Sequence, residues 1–193
     1  MVSASDEWYT PDTPKQPVIS SVATALGGRI GLDPTADPDR RVPADRHITK
    51  EEDCLTQQAR DETIYCNPPF SNPLAFIRWV ANEVEEGRSP QAIMLCKSGV
   101  LSNQGTGALI QEFATATCHW RHNGRIRFTP GATVLERLSR EFEAGRRASR
   151  LPKSADFDTI LINFGPFLLF AQTFERLGHV QLCRRAWEEL IKA

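Results

Sequence analysis

Two consecutive prolines end an apolar run at Thr63-Ile64-Tyr65-Cys66-Asn67-Pro68-Pro69-Phe70-Ser71, and no other stretch restricts the fold as strongly. The β-branched and aromatic residues ahead of them favour a strand. Each proline fixes φ and offers no N–H, so the ladder must stop there and the chain must leave the sheet as a stiff loop. Beyond the loop, Asn72 is placed to cap a helix starting at Pro73, with Leu74, Ile77, Val80, Ala81 and Val84 at helical spacing before Gly87. A strand and a helix are therefore expected to clamp the Asn67–Phe70 loop between them.

The same alternation runs along the rest of the chain. Val18, Ile19, Val22 and Leu26 recur at helical spacing and stop at Gly27-Gly28. Residues 29–32 and 63–66 read as short strands, Ala92–Cys96 and Thr159–Phe164 as buried ones, and Arg125–Phe128 as a half-exposed one. Val134, Leu135, Leu138 and Phe142 form a helical stripe. The expected fold class is α/β, with a compact, mostly parallel sheet flanked by helices. A chain of 193 residues suits one such core. No apolar run is long enough to cross a bilayer, and Met1-Val2-Ser3-Ala4-Ser5-Asp6 has neither a charged head nor an apolar signal core, so a cytoplasmic setting and no membrane partner are expected. Cys54, Cys66, Cys96, Cys118 and Cys183 are odd in number and scattered, and His119 and His122 lack spaced partners, so neither a disulfide framework nor a metal site is indicated.

The proline loop also carries chemistry. Asn67 has a side-chain carbonyl and Pro68 a backbone carbonyl, two acceptors for the two hydrogens of an exocyclic –NH₂ group, and Phe70 has a ring on which a planar group can stack. The lone pair of a base amino group is delocalised and weakly nucleophilic, and acceptors on its hydrogens help it pyramidalise. A sulfonium methyl, as in S-adenosylmethionine, is already activated, so an enzyme using it has mainly to align amine, methyl and sulfur. The residue types thus point to methyl transfer onto a planar amine. Their plain structural reading is a rigid proline turn after a strand.

Three more segments occur in a matching order: Asp6-Glu7-Trp8-Tyr9-Thr10-Pro11 near the N-terminus, Ile30-Gly31-Leu32-Asp33-Pro34-Thr35-Ala36-Asp37, and Thr49-Lys50-Glu51-Glu52-Asp53-Cys54-Leu55. With Asn67 to Phe70 they make the chain, from about residue 6 to 165, resemble the small phage-type DNA N-6-adenine methyltransferases, a Dam-like family of S-adenosylmethionine-dependent amino-methyltransferases. The resemblance implies a Rossmann-like methyltransferase domain over residues 1–165. Asn67, Pro68, Pro69 and Phe70 would form the catalytic loop, Trp8, Tyr9, Thr10, Pro11, Asp33, Pro34 and Asp53 would bind S-adenosylmethionine, and DNA would be the partner. Two positions depart from the family's commoner pattern: Thr35-Ala36-Asp37-Pro38 lacks the glycines that let backbone approach cofactor, and Phe70 stands where Tyr is more usual. Trp8 either walls a cofactor pocket or pins the N-terminus to the core, Asp33 either binds cofactor or forms an Asx turn, and Asp53 either binds cofactor or caps a helix. Cys96-Lys97-Ser98-Gly99 is assigned no role.

Charge is uneven although the net formal charge is only −1. Residues 119–153 hold nine Lys/Arg and three Asp/Glu, so they carry +6 and the remainder −7. Such a patch suits attraction to nucleic-acid phosphates, with His122, Arg125, Arg127, Arg146, Arg147 and Arg150 as the candidate DNA contacts. The alternative is a solvated helix face. Residues 166–193, with Phe167, Leu168, Leu169, Phe170, Phe174, Leu177 and Trp187, read as an apolar helical extension packed on the same domain, compatible with a monomer or a homodimer. Other readings are the same chemistry on cytosine or a protein glutamine, a DNA-binding relative without catalysis, and an interaction protein using the helical tail.

Overall fold

The structure, a computed structural model, describes residues 8–146 and 157–192. In chain order it contains β1 (Trp8–Tyr9), β2 (Asp12–Thr13), β3 (Gln16–Pro17), α1 (Val18–Ala25), β4 (Ile30–Ala36), β5 (Ala44–Thr49), β6 (Ile64–Cys66) and α2 (Pro73–Glu85). There follow β7 (Ala92–Lys97), α3 (Gln104–Phe113), β8 (Ala116–Trp120), β9 (Thr129–Pro130), α4 (Ala132–Glu143), β10 (Thr159–Phe164), α5 (Leu168–Phe174), β11 (Gly178–Leu182) and α6 (Arg184–Lys192). Seven strands make one sheet in the order β11-β8-β10-β7-β6-β4-β5.

The α/β class expected from the sequence is present, but the sheet is mixed rather than mostly parallel. The ladders β5–β4, β4–β6 and β6–β7 are parallel, whereas β7–β10, β10–β8 and β8–β11 are antiparallel. The cause is the path of the chain. The crossover through α3 returns β8 in the direction of β7 but one place away, leaving a gap between them. After β8 the chain stays at the edge where β6 and β7 end, since β9 pairs there with β1. It enters the gap from that edge, so β10 runs down against both neighbours, from Thr159 opposite Lys97 to Phe164 opposite Ala92.

Both faces of the central strands are covered. Tyr65, Ile93, Leu95 and Leu161 point to one apolar cluster with Val18 and Val22 of α1 and Phe170 and Phe174 of α5. Cys66, Met94, Cys96, Ile160 and Ile162 point to the other, with Ile77 and Val80 of α2 and Ile110 of α3. Burial on both faces is why these strands are continuous apolar runs in the sequence.

Three local readings are corrected. Asn72 occupies the N-cap of α2 but makes no side-chain cap bond. The segment after Gly165 is helix, strand and helix, because β11 pairs with β8 as an edge strand. Finally, 125–128 alternates as expected, with Ile126 and Phe128 buried and both arginines exposed, yet joins no ladder. The buried side chain of Gln16 takes the place of a neighbouring strand: its Nε2 donates to the Arg125 carbonyl at 2.6 Å and its Oε1 accepts from the Arg127 N–H at 2.8 Å. No helix among the described residues is long and apolar enough to cross a membrane.

Replacing Gln16 by Ala leaves one carbonyl and one N–H without their partner, and each unsatisfied buried group costs about 1–3 kcal/mol. Gln16→Ala is expected to lower unfolding free energy by about 2–4 kcal/mol in urea titration. A loss under about 0.5 kcal/mol would show that water replaces the side chain and that Gln16 does not hold this segment.

Candidate active site

The parallel strands β4, β6 and β7 end side by side, and open α/β sheets bind ligands beyond such carboxyl ends. β4 carries Asp33 and Pro34 where its register against β5 shifts, between Asp33 and Ala36. The carboxylate of Asp33 turns back on its own strand, Oδ1 accepting from the Thr35 N–H at 3.0 Å and from the Thr35 hydroxyl at 3.2 Å. This is the Asx turn that the sequence admits. The same hydroxyl accepts from the backbone N–H of Asn67 at 3.1 Å. A chain of three bonds therefore fixes the first residue past β6 relative to β4.

The side chain of Asn67 is held from the other side. Its Nδ2 donates to the carbonyl of Trp8 at 3.0 Å, while its Oδ1 is buried and has no hydrogen-bond partner among the described residues. An unsatisfied buried acceptor of this kind costs about 1–3 kcal/mol and calls for an explanation. The N-terminal segment that supplies the Trp8 carbonyl is itself anchored. Trp8 and Tyr9 pair with Pro130 and Thr129, the Thr10 hydroxyl lies 2.8 Å from that of Tyr65 on β6, and the Arg41 guanidinium sits 3.7 Å from the Tyr9 ring centroid. Trp8 to Pro11 and the proline loop, 59 residues apart at their hydrogen bond, thus meet in space.

Pro68 is buried, and the Pro69 carbonyl accepts from the Asn72 N–H at 3.1 Å, turning the loop into α2. Phe70 meets two rings edge to face: Phe157 with centroids 4.8 Å apart and Phe128 at 5.7 Å. The Lys97 ammonium lies 5.2 Å from the Phe70 centroid and 4.6 Å from that of Phe157. Lys97 is the residue that sequence reasoning passed over. Its signal was available, since it is the first charged residue after a buried strand, at the carboxyl end where such sheets place their ligands.

Asp33 is the buried carboxylate of the site. Burial pushes its carboxyl up to about 6, against the lowering effect of the two Thr35 bonds. Asp53 is exposed and caps a short 3-10 turn, accepting from the Leu55 N–H at 3.1 Å. Of the candidate DNA contacts, Arg147 and Arg150 lie outside the described residues, as does Glu7 of the N-terminal segment. Arg146 and Arg127 are exposed, Arg125 pairs with Asp158 at 2.8 Å, and His122 lies beside Trp120. On α4, Arg137 and Arg140 pair with Glu141 and Glu136 of the same helix. That part of the basic segment is largely neutralised on its own face.

Among comparisons with known proteins, the family model described as DNA N-6-adenine-methyltransferase (Dam) matches residues 1–145. The chain belongs to this family. No curated protein matches it.

The raised carboxyl of Asp33 has a measurable consequence. Its folded value, about 6, lies above the ordinary 3.8, so ionisation opposes folding: the favourable contribution is full below about 3.8 and is lost as pH rises to about 6. Asp33→Asn, which keeps the acceptor for Thr35, is expected to stabilise the protein above pH 6 by up to about 3 kcal/mol and to have no such effect near pH 3.5. Urea titrations of both proteins at the two pH values check this, and an equal difference at both would contradict it.

Proposed function

We propose that this Dam-family protein transfers the methyl group of S-adenosylmethionine to the exocyclic amino nitrogen of adenine in DNA, on a Rossmann-like methyltransferase fold. The observation that carries the proposal is the buried, unpartnered Oδ1 of Asn67 at the carboxyl end of β6. An acceptor without a donor at that place fits an amine whose hydrogen it will take. The residues also fit the cofactor's charge. Asp33 is a buried carboxylate that makes no ion pair among the described residues, and a cationic ligand beside it would relieve the cost of its burial.

S-adenosylmethionine, when bound, supplies an activated sulfonium methyl. Around it, Trp8 to Pro11 and Asp33-Pro34 would form the binding walls, with Asp53 at the rim. Asn67 Oδ1 accepts one amine hydrogen and the Pro68 carbonyl the other, favouring the pyramidal nitrogen. The Nδ2 bond to Trp8 keeps the amide from rotating, so the orientation of the acceptor is fixed before substrate arrives. Phe70 stacks on the base. Because the amino nitrogen lies within a stacked pair, the adenine must be extruded or supplied single-stranded, at a cost of about a few kcal/mol. On this proposal residues 1–165 form the methyltransferase domain and 166–193 an extension packed on it.

Single-turnover methyl transfer to an adenine-containing oligonucleotide tests the reading. Asn67→Ala is expected to slow transfer by about a hundredfold or more, by analogy with loss of one oxyanion-hole donor, while cofactor affinity measured by calorimetry changes much less. Phe70→Tyr keeps the ring and should stay active; Phe70→Ala should weaken base capture by about 1–3 kcal/mol. Asn67→Asp retains an acceptor and serves as control, with thermal melting of each variant confirming folding. Wild-type rates in both Asn67 variants, or methyl groups found on cytosine and not adenine, would refute it.

A further inference from the structure

A second basic feature lies along the edge that carries Asn67. Arg121 and His122 follow the end of β8, and Arg176, Leu177, Gly178 and His179 form the turn from α5 into β11; together they line a hollow of about 600 Å³. Its lining contains two arginines, two histidines and no carboxylate. The N–H groups of Arg121 and His122 both donate to the Leu177 carbonyl, at 3.0 and 2.8 Å, which staples the two walls together. Trp120 Nε1 donates to the His122 carbonyl at 3.0 Å. Gly178 must lack a side chain, because a Cβ there would run into the His119 carbonyl and the Cys118 sulfur. The hollow is thus built by backbone contacts.

Its charge is not cancelled from within. Arg125, Arg137, Arg140 and Arg184 each pair with a carboxylate, whereas Arg121 and Arg176 make no ion pair among the described residues. His119, on the strand leading into the hollow, is held below its ordinary value by burial first and then by the charges of Arg121 and His179, with Asp158 opposing. Like charges collected at one place destabilise a fold unless something anionic joins them.

The register fixes where this hollow stands relative to the proline loop. His119 on β8 and Cys96 on β7 are both opposite Ile160 of β10, so β8 and β7 reach the same edge. From β6 to β8 is three strand spacings and to β11 four, or about 14–19 Å at 4.8 Å each. At 3.4 Å per base step along a duplex strand, that separation is roughly four to six base pairs.

We propose that the Arg121–His122–Arg176–His179 hollow binds a backbone phosphate of DNA several base pairs from the adenine held at Asn67. The proposal rests on the DNA-methylating reading above and adds an anchoring site to it. It keeps His122 among the expected DNA contacts and adds to it Arg121, Arg176 and His179, the last two from beyond the basic segment of 119–153.

The test compares the wild-type protein with Arg121→Ala/Arg176→Ala, measuring duplex affinity between 50 and 200 mM salt. If both arginines touch phosphate, the salt slope flattens by up to about two units, and the affinity lost across that range shrinks about tenfold. Arg121→Lys/Arg176→Lys should recover most of the slope, and a control pair, Arg60→Ala/Arg184→Ala, should leave it unchanged. Cofactor affinity and the rate at saturating DNA should stay within about twofold of wild type, and thermal melting verifies that all variants fold. An unchanged slope in the alanine pair, or equal flattening in the control pair, overturns the site. So does saturation by inorganic phosphate, seen in the His122 and His179 ring signals, without any effect of the alanine pair on DNA binding, which would mark a free-anion site. If wild-type protein methylates DNA while the pair has no effect, only the anchoring site fails. If wild-type protein neither binds DNA with a salt dependence nor methylates it, the functional reading fails with it.

Discussion

The hydrogen bond from Asn67 Nδ2 to the carbonyl of Trp8 organises the carboxyl edge of the sheet. A primary amide has a donor end and an acceptor end on one rigid plane, so committing the donor also aims the acceptor. With the N–H engaged by Trp8, Oδ1 is held buried, and no described group donates to it. The bond holds only because its other partner is fixed. Trp8 belongs to a two-residue strand pinned by Pro130 and Thr129, and the segment after it is tied to β6 through Thr10 and Tyr65. The N-terminal segment, the proline loop and the end of the 121–130 loop therefore form one mechanical unit, although they are far apart in sequence.

That unit stores unfavourable energy in two places. Asn67 Oδ1 forgoes a hydrogen bond, and Asp33 is ionised where burial disfavours charge. Neither is an isolated flaw, because the Thr35 hydroxyl links them by donating to Asp33 and accepting from the Asn67 N–H. Both groups carry the sign that the proposed ligands lack: an acceptor for an amine hydrogen and an anion for a cationic cofactor. Stability sacrificed next to a strand end is the expected signature of a site shaped for a bound state rather than for the free protein.

The parts legible in the sequence are those where one local rule governs. β6, β7 and β10 were readable because both faces are buried and the runs are uninterrupted, and α2 because Pro73 and the apolar spacing agree. β5 was not, since only Ile48 in Ala44–Thr49 is buried and an edge strand of polar residues leaves no pattern. Residues 125–128 alternate like a strand for a sound reason, half-burial, but strand pairing is a matter of partners, and Gln16 is a side chain. The direction of β10 depends on where the chain re-enters the sheet, which no local window contains. At the site, the residue types of Asn67 to Phe70 and the Asx turn at Asp33 were visible, and Lys97 could have been found from its place at the end of a buried strand; the orphaned oxygen and the bond from the Asn67 N–H to Thr35 are products of packing.

Charge shows the same separation between composition and arrangement. The excess of +6 over residues 119–153 suggests a uniform basic surface, yet Arg137 and Arg140 are engaged by glutamates one helical turn away and Arg125 by Asp158. Pairs at that spacing on an exposed helix are worth only a few tenths of a kcal/mol, but they cancel the field that a distant phosphate would feel. What reaches solvent along the carboxyl edge includes cations with no carboxylate partner among the described residues: Lys97 beside the Phe70 ring, then Arg121 and Arg176 two to three strands further on. These lie in a line from β7 to β11. On the proposed function, a polyanion laid along that edge would meet positive charge first beside the proposed base site and again where β8 ends, so the sheet order, more than the count of basic residues, would set the direction in which DNA runs.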